Sequence, residues 1–342
     1  LWVGTFQGTC RYAGDAWEPV DPAPNWDTAL IDLLVEPDGS LWGVEHHSAV
    51  RRFVDGAWQQ ALPPAETTSF NNGALVRAWD GAVWCANGGK AVHRWHRETW
   101  RTYAAPDGLP SGQVRALAVD ALRKRVWLGT TDGAVAYVER GRVAVLTAGE
   151  AWGKRCVLHL FVDCQARLWV GTEGRGVACW DGSSWFRLTR NDGLRSERVL
   201  RVYQDRDGRM VFCTQGGGVS LYDGQVIQTL TRRDGLASNA VVGCVQDADG
   251  RYWFATQAGV TCYRPARRAP VARITEVVGG RTYRRDADLL LLPKPTAAAA
   301  TGPTAEPAAA AGVGDAAPAP ASSAVPDALP AASAVAMPTA TV

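Results

Sequence analysis

Glu45, His46 and His47 are the one place in this sequence where the side chains for general acid–base chemistry stand next to one another. A carboxylate beside an imidazole can orient the ring and fix the tautomer that accepts a proton near neutral pH. The other histidines, His93, His96 and His159, fall in strand-like runs and do not repeat the triplet at matching loop positions. Eight cysteines are present, but no C-x-x-C pair and no His at zinc-finger spacing accompany them, so no metal site and no cofactor is expected. Several, such as Cys213 and Cys244, sit inside apolar runs, where Cys serves as a small buried hydrophobe.

Charge narrows the partners further. Against 36 Lys plus Arg stand 34 Asp plus Glu, a formal net charge of +2, with no basic run suited to a phosphate backbone, so nucleic acid is not an expected partner. No stretch approaches the roughly 18 apolar residues of a spanning helix. A length of 342 residues with 46% hydrophobic content is enough for a large core.

The elements that would position these residues come from a repeat. Leu1-Trp2-Val3-Gly4-Thr5 recurs unchanged at Leu168-Trp169-Val170-Gly171-Thr172, and near copies place Trp42, Trp84, Trp127, Val211 and Trp253 at the same point, 40–43 residues apart. Each period reads as four short strands, here A to D, divided by turns such as Asp181-Gly182 that suit the positive φ of tight hairpins. Four antiparallel strands in a period of this length form a propeller blade. The fold class is therefore all-β, a seven-bladed β-propeller of four-stranded antiparallel blades over residues 1–265. An aromatic side chain repeated once per blade is expected to pack between blades rather than to bind. The strand count lacks the D strand of the last blade and the A strand of the first. These two are consecutive in the repeat, so one upstream segment of roughly 20–25 residues, by the repeat length, would close the ring.

In such blades the B-to-C and D-to-A loops emerge on one face around the central channel. That face is the expected binding surface, and its candidate ligand-binding residues are Gln7, Trp26, Glu45, His46, His47, Asn71, Asn72, Asn87, Asp132, Glu173, Arg175, Arg195, Gln215, Asn239 and Gln257. Amides and charges of this kind suit a polyhydroxylated or anionic small molecule.

Asp192-Gly193-Leu194-Arg195-Ser196, Asp234-Gly235-Leu236-Ala237-Ser238-Asn239 and Asp107-Gly108-Leu109-Pro110-Ser111, each ahead of an apolar strand and a turn into the Trp-position strand, resemble the repeat of two-component regulator propellers. The resemblance spans residues 1–265 and is strongest in the last four repeats. It implies the extracytoplasmic, ligand-sensing part of a histidine kinase or hybrid two-component sensor, with a membrane-anchored, dimeric parent and no enzyme activity in this chain. In that family a small β-sandwich named for three tyrosines follows the propeller. Residues 266–294 are similar to its opening strands. Residues 295–342, rich in Ala, Pro and Thr with no aromatic residue, are expected to be a disordered tail. Two alternatives stand beside the sensor: a propeller lyase or hydrolase using Glu45, His46 and His47, resembling seven-bladed lyases with a central His and Glu, and a protein-binding scaffold.

Overall fold

The computed structural model describes residues 1–5, 8–13, 16–20, 30–45, 49–62, 73–86, 88–146, 152–265, 276–278, 282–284 and 334–336. Seven antiparallel sheets follow one another along the chain as blades. Blade 1 contains Trp2–Thr5, Gly8–Ala13 and Ala16–Pro19. Blades 2 to 6 each have four strands and begin at Leu30–Val35, Ala74–Arg77, Val114–Asp120, Val157–Val162 and Val199–Gln204. Blade 7 begins at Val241–Gln246 and continues through Tyr252–Thr256 to Gly259–Tyr263. The seven-bladed propeller expected from the repeat is the fold of this chain.

The repeated Trp does the packing expected of it. Trp42 of blade 2 lies 5.0 Å from Trp95 of blade 3, and Trp169 of blade 5 lies 5.7 Å from Phe212 of blade 6. Trp84 and Trp127 likewise join hydrophobic clusters with residues of the following blade. These large buried rings seal one sheet face to the next.

Two turns recur because their chemistry is local. In the A-to-B turn, Asp163 Oδ2 accepts from Arg167 Nε at 2.7 Å and from Trp169 Nε1 at 2.8 Å, and Asp247 Oδ2 accepts from Arg251 Nε at 2.6 Å and Trp253 Nε1 at 2.8 Å. One carboxylate thus closes the turn and anchors the interblade Trp. In the D-to-A loop, Asp234 Oδ2 accepts from the Thr231 amide and hydroxyl, both at 2.9 Å, Gly235 turns left-handed at φ 99°, and Leu236 is buried. The Asp-Gly-Leu motif is a capped turn that drives an apolar plug into the core.

Ring closure differs from the expectation. Blade 7 has three strands among the described residues, and the A position of blade 1 is taken by Ala334–Ala336, antiparallel to Trp2–Gly4. Those three residues lie in the segment expected to carry no structure. An open strand edge offers backbone N–H and C=O groups that pair irrespective of side chain, so a segment too poor in apolar residues to build a core can still add a strand. Between blades 1 and 7 the contact is made by side chains: Tyr12 lies 5.0 Å and Trp17 6.2 Å from Trp253, and Val3 packs with Val242 and Ala255.

Residues Ala266–Ala328 form a second unit. Its described residues are one hairpin, Glu276–Val278 paired with Thr282–Arg284. The rest of the proposed sandwich segment, and the remainder of residues 295–342, lie outside the described residues.

Candidate functional site in the central channel

The first strand of each of blades 2 to 7 lines one axial cavity of about 500 Å³. Five of these strands carry the same irregularity near their start, a register shift between Leu30 and Asp32, Val114 and Ala116, Val157 and His159, Val199 and Arg201, and Val241 and Gly243. A bulge re-aims the residues around it. Immediately after it, and at Ala74 in the unbulged strand of blade 3, one register position runs around the channel: Asp32, Ala74, Ala116, His159, Arg201 and Gly243, each paired two residues beyond the phase-mark residue of its blade.

Three of those six residues are polar, and two of them, Asp32 and Arg201, meet. Arg201 Nη1 and Nη2 both lie 3.4 Å from Asp32 Oδ1, so blade 6 reaches across to blade 2. Asp32 is only 7% exposed, and its Oδ2 accepts from the Leu75 amide of blade 3 at 2.8 Å. His159 Nδ1 accepts from the Val202 amide at 3.3 Å. Burial, and after it the Arg201 charge, hold His159 well below the usual imidazole value. An uncharged ring that accepts at Nδ1 carries its proton on Nε2.

One mouth of the channel is built by the loops expected to share a face. Glu173, Gln215 and Gln257, which follow the B strands, each donate a backbone bond to a residue of a D-to-A loop, Cys156, Arg198 and Ala240, at 3.0, 3.0 and 3.1 Å. Arg198 Nη2 also pairs with Glu173 Oε1 at 3.0 Å, and Arg115 lines the cavity nearby. At the other end Arg77 pairs with Glu36 at 3.1 Å, and the rings of Phe161 and Tyr203 lie 6.3 Å apart.

The candidates read from sequence separate into three groups. Gln215 and Gln257 line the channel, and Glu173 stands at its mouth through Arg198. Asp132, Arg175, Arg195 and Asn239 lie outside the lining: Asp132 accepts from the Thr130 hydroxyl at 2.5 Å, the Arg175 amide donates to Thr172, Arg195 is exposed, and Asn239 Oδ1 accepts from the Arg232 amide at 2.7 Å. Glu45 is buried and ion-paired with Arg51 of the neighbouring strand. Gln7, Trp26, His46, His47, Asn71, Asn72 and Asn87 lie outside the described residues. Asp32, His159 and Arg201 were not among the candidates. Their signal is a polar residue interrupting an apolar inner strand, as in Leu30-Ile31-Asp32-Leu33 and Val157-Leu158-His159-Leu160.

The sequence model of the two-component regulator propeller family matches residues 235–258. The chain carries a two-component regulator propeller repeat. The resemblance read from Asp234-Gly235-Leu236 is thus borne out where that motif leads into the inner strand and turn of blade 7. No curated protein matches the chain by sequence. Among solved structures, it is similar to the extracellular domain of the hybrid two-component system BT4673 from B. thetaiotaomicron, at 17% identity and a TM-score of 0.61 over 78% of this chain and 36% of that one. It is similar also to virginiamycin B lyase from Staphylococcus aureus, at 14% identity and a TM-score of 0.59 over 74% of this chain and 86% of that one. A third likeness is to PorZ of the type-IX secretion system of Porphyromonas gingivalis, at 16% identity and a TM-score of 0.57, covering 75% and 42%. At these identities the likeness is one of fold. The chain spans little more than a third of the BT4673 extracellular domain.

Proposed function

We propose that this chain is the sensing propeller of a two-component signalling protein, acting outside the cytoplasm and taking a small molecule or glycan at the channel face. The observation that carries this reading is the regulator-propeller repeat at residues 235–258, together with a channel whose mouth is formed by the loops after the B strands. The likeness to an extracellular domain of a hybrid two-component system supports the extracytoplasmic placement. A membrane-anchored, dimeric parent with a histidine kinase output belongs to the same proposal, as does a sandwich beginning near residue 266. Among the described residues no helix is long and apolar enough to cross a membrane.

The reading is non-enzymatic. A general base must present a free lone pair to its substrate, and the Glu45 carboxylate is engaged by the Arg51 guanidinium. Binding can be tested by thermal melts of the 342-residue chain against a panel of glycans and metabolites. A ligand-dependent rise that disappears in the Gln215→Ala/Gln257→Ala variant, with no product formed, is the expected result. Product formation lost in Glu45→Gln would establish the lyase reading instead. A captured protein partner with no small-molecule effect would establish the scaffold.

A further inference from the structure

We infer that the channel holds a specific site for a small ligand bearing one carboxylate, with Arg201 as its anchor and Asp32 as an internal anion that competes for the same guanidinium. This deepens the sensing proposal and rests on it.

The first observation is an ion pair that spans the channel. Asp32 and Arg201 come from blades 2 and 6, which are not neighbours in the ring, so the pair does not seal one blade to the next. A carboxylate and a guanidinium held in a largely apolar cavity gain little net stability over apolar side chains of the same size. The second is the pair's geometry. Both Nη atoms of Arg201 converge on one Asp32 oxygen at 3.4 Å, while the other oxygen is held by the Leu75 amide. That is a long, single-oxygen contact rather than the two parallel bonds of a fork on a carboxylate. Arg201 carries five N–H donors. Among the described residues its hydrogen bonds go to Asp32 alone, so an edge of the guanidinium is left for a second, better-fitted oxyanion.

Third, the surroundings favour an acid over a neutral molecule. Arg77, Arg115, Arg198 and Arg201 line the cavity, against Asp32 as its one lining carboxylate among the described residues, while Glu36 and Glu173 outside the lining pair with Arg77 and Arg198. The uncharged His159 ring, with its proton on Nε2, is a donor at the same level. Fourth, there is room beside the pair. The register position that supplies Asp32, His159 and Arg201 is Ala74, Ala116 and Gly243 in the other three blades. Tyr203 follows Arg201 by two residues on the same strand face, with Phe161 close to it, so an apolar or ring-shaped body has a wall to lie against. A cavity of about 500 Å³ is the size that small-molecule sites have.

The test is titration calorimetry of the full chain with glucuronate, galacturonate and benzoate, each beside its uncharged partner glucose, galactose or benzyl alcohol. The expected result is one-site binding of at least one acid, at least tenfold tighter than its neutral partner. Asp32→Asn keeps an oxygen for the Leu75 amide but removes the competing charge, and should tighten that acid at least tenfold. Arg201→Lys keeps the charge without the fork, and should weaken it at least tenfold. A purely structural ion pair predicts no gain in Asp32→Asn, so this variant decides the matter even if Arg201→Lys does not fold. Equal binding of acid and neutral partner overturns the carboxylate site, and so does unchanged or weaker acid binding in Asp32→Asn. If no acid binds but a neutral glycan does, the carboxylate site is wrong and the sensing proposal stands. If no small molecule binds at all, both fall.

Discussion

Tyr12 of blade 1 and Trp253 of blade 7 lie with their rings 5.0 Å apart, tilted by 53°, and this contact joins the two ends of the ring. The same Trp253 donates to Asp247 at 2.8 Å, so one side chain ties the seam to the turn that precedes its strand. Trp253→Ala should therefore lower the unfolding free energy by about 3–5 kcal/mol, the range for truncating a buried Trp. Trp17, 40% exposed on the other side of that contact, should lose less than about 1 kcal/mol on truncation. Urea unfolding followed by circular dichroism compares the two. A Trp253→Ala variant as stable as the parent would show that the seam is held elsewhere.

Stability should depend on pH in two separate windows. Burial, with Arg201 behind it, depresses His159, so the folded chain stays unprotonated where the unfolded chain takes up a proton at about pH 6.5. The contribution is complete above that pH and is lost progressively as pH falls below it. His159→Gln should flatten the urea midpoint between pH 7 and 5. A residual slope should remain from His93, which burial also lowers. The second window belongs to carboxylates. Burial works to raise Asp247, but hydrogen bonds from Trp253 and Arg251 outweigh it and the net shift is downward, and Asp234 is lowered by the Thr231 amide and hydroxyl. Their contribution is present above about pH 4 and disappears as pH falls through the lower folded values. Asp247→Asn should weaken that acid-side loss and leave the slope between pH 7 and 5 unchanged.

Thiol chemistry should divide the cysteines by burial. Cys164 and Cys262 are exposed, whereas Cys85, Cys156, Cys179, Cys213 and Cys244 are buried. Burial also pushes the Cys179 thiol up to about 12 and raises Cys85 and Cys213, which withholds the reactive thiolate. Iodoacetamide labelling of the native chain, read by peptide mass spectrometry, should modify Cys164 first and then Cys262, which is exposed but whose thiol burial also raises. The buried five should label at comparable rates only after unfolding.

Two glycines with the same left-handed conformation should respond differently to a methyl group. A Cβ on Gly218, at φ +80°, would stand 2.0 Å from the Leu230 carbonyl oxygen, while one on Gly208, at φ +82°, would meet nothing within 4 Å. Gly208→Ala should cost about 1 kcal/mol, from backbone strain alone. Gly218→Ala adds a clash with the outer strand of its own blade and should cost about 2–4 kcal/mol. Equal losses in a thermal melt would show that the outer strand yields freely at that point.

The blades were readable from sequence because their devices are local. A strand motif every 40–43 residues with Trp in six of its seven copies, an Asp that caps its own turn and an Asp-Gly-Leu that plugs a core each leave a mark within a few residues. The closing strand was not readable, because the edge of Trp2–Thr5 pairs through backbone groups and sets no side-chain requirement on Ala334–Ala336. Loop candidates were chosen for polarity on the right face, yet polarity also serves turns. The side chains of Asp132 and Asn239 are occupied by the loops that present them. Asp32, His159 and Arg201 are not legible as a site because each lies inside an apolar run, and the Asp32–Arg201 pair forms only when blades 2 and 6 are arranged around an axis.

The bulge that opens five of the inner strands has a bearing on how such a ring can change its ligand. It leaves one residue of each of these five strands unpaired, so that the ladder resumes at a single position, Asp32, Ala116, His159, Arg201 or Gly243, whose side chain differs from blade to blade. The Trp positions, turn carboxylates and plugging leucines can stay as they are while that residue is replaced by an acid, a base, an imidazole or a methyl group. The bore therefore behaves like a row of independent tumblers. On the proposed sensing role, two rings with superimposable blades and the same turns would answer to different molecules through the residue at which the inner ladder resumes.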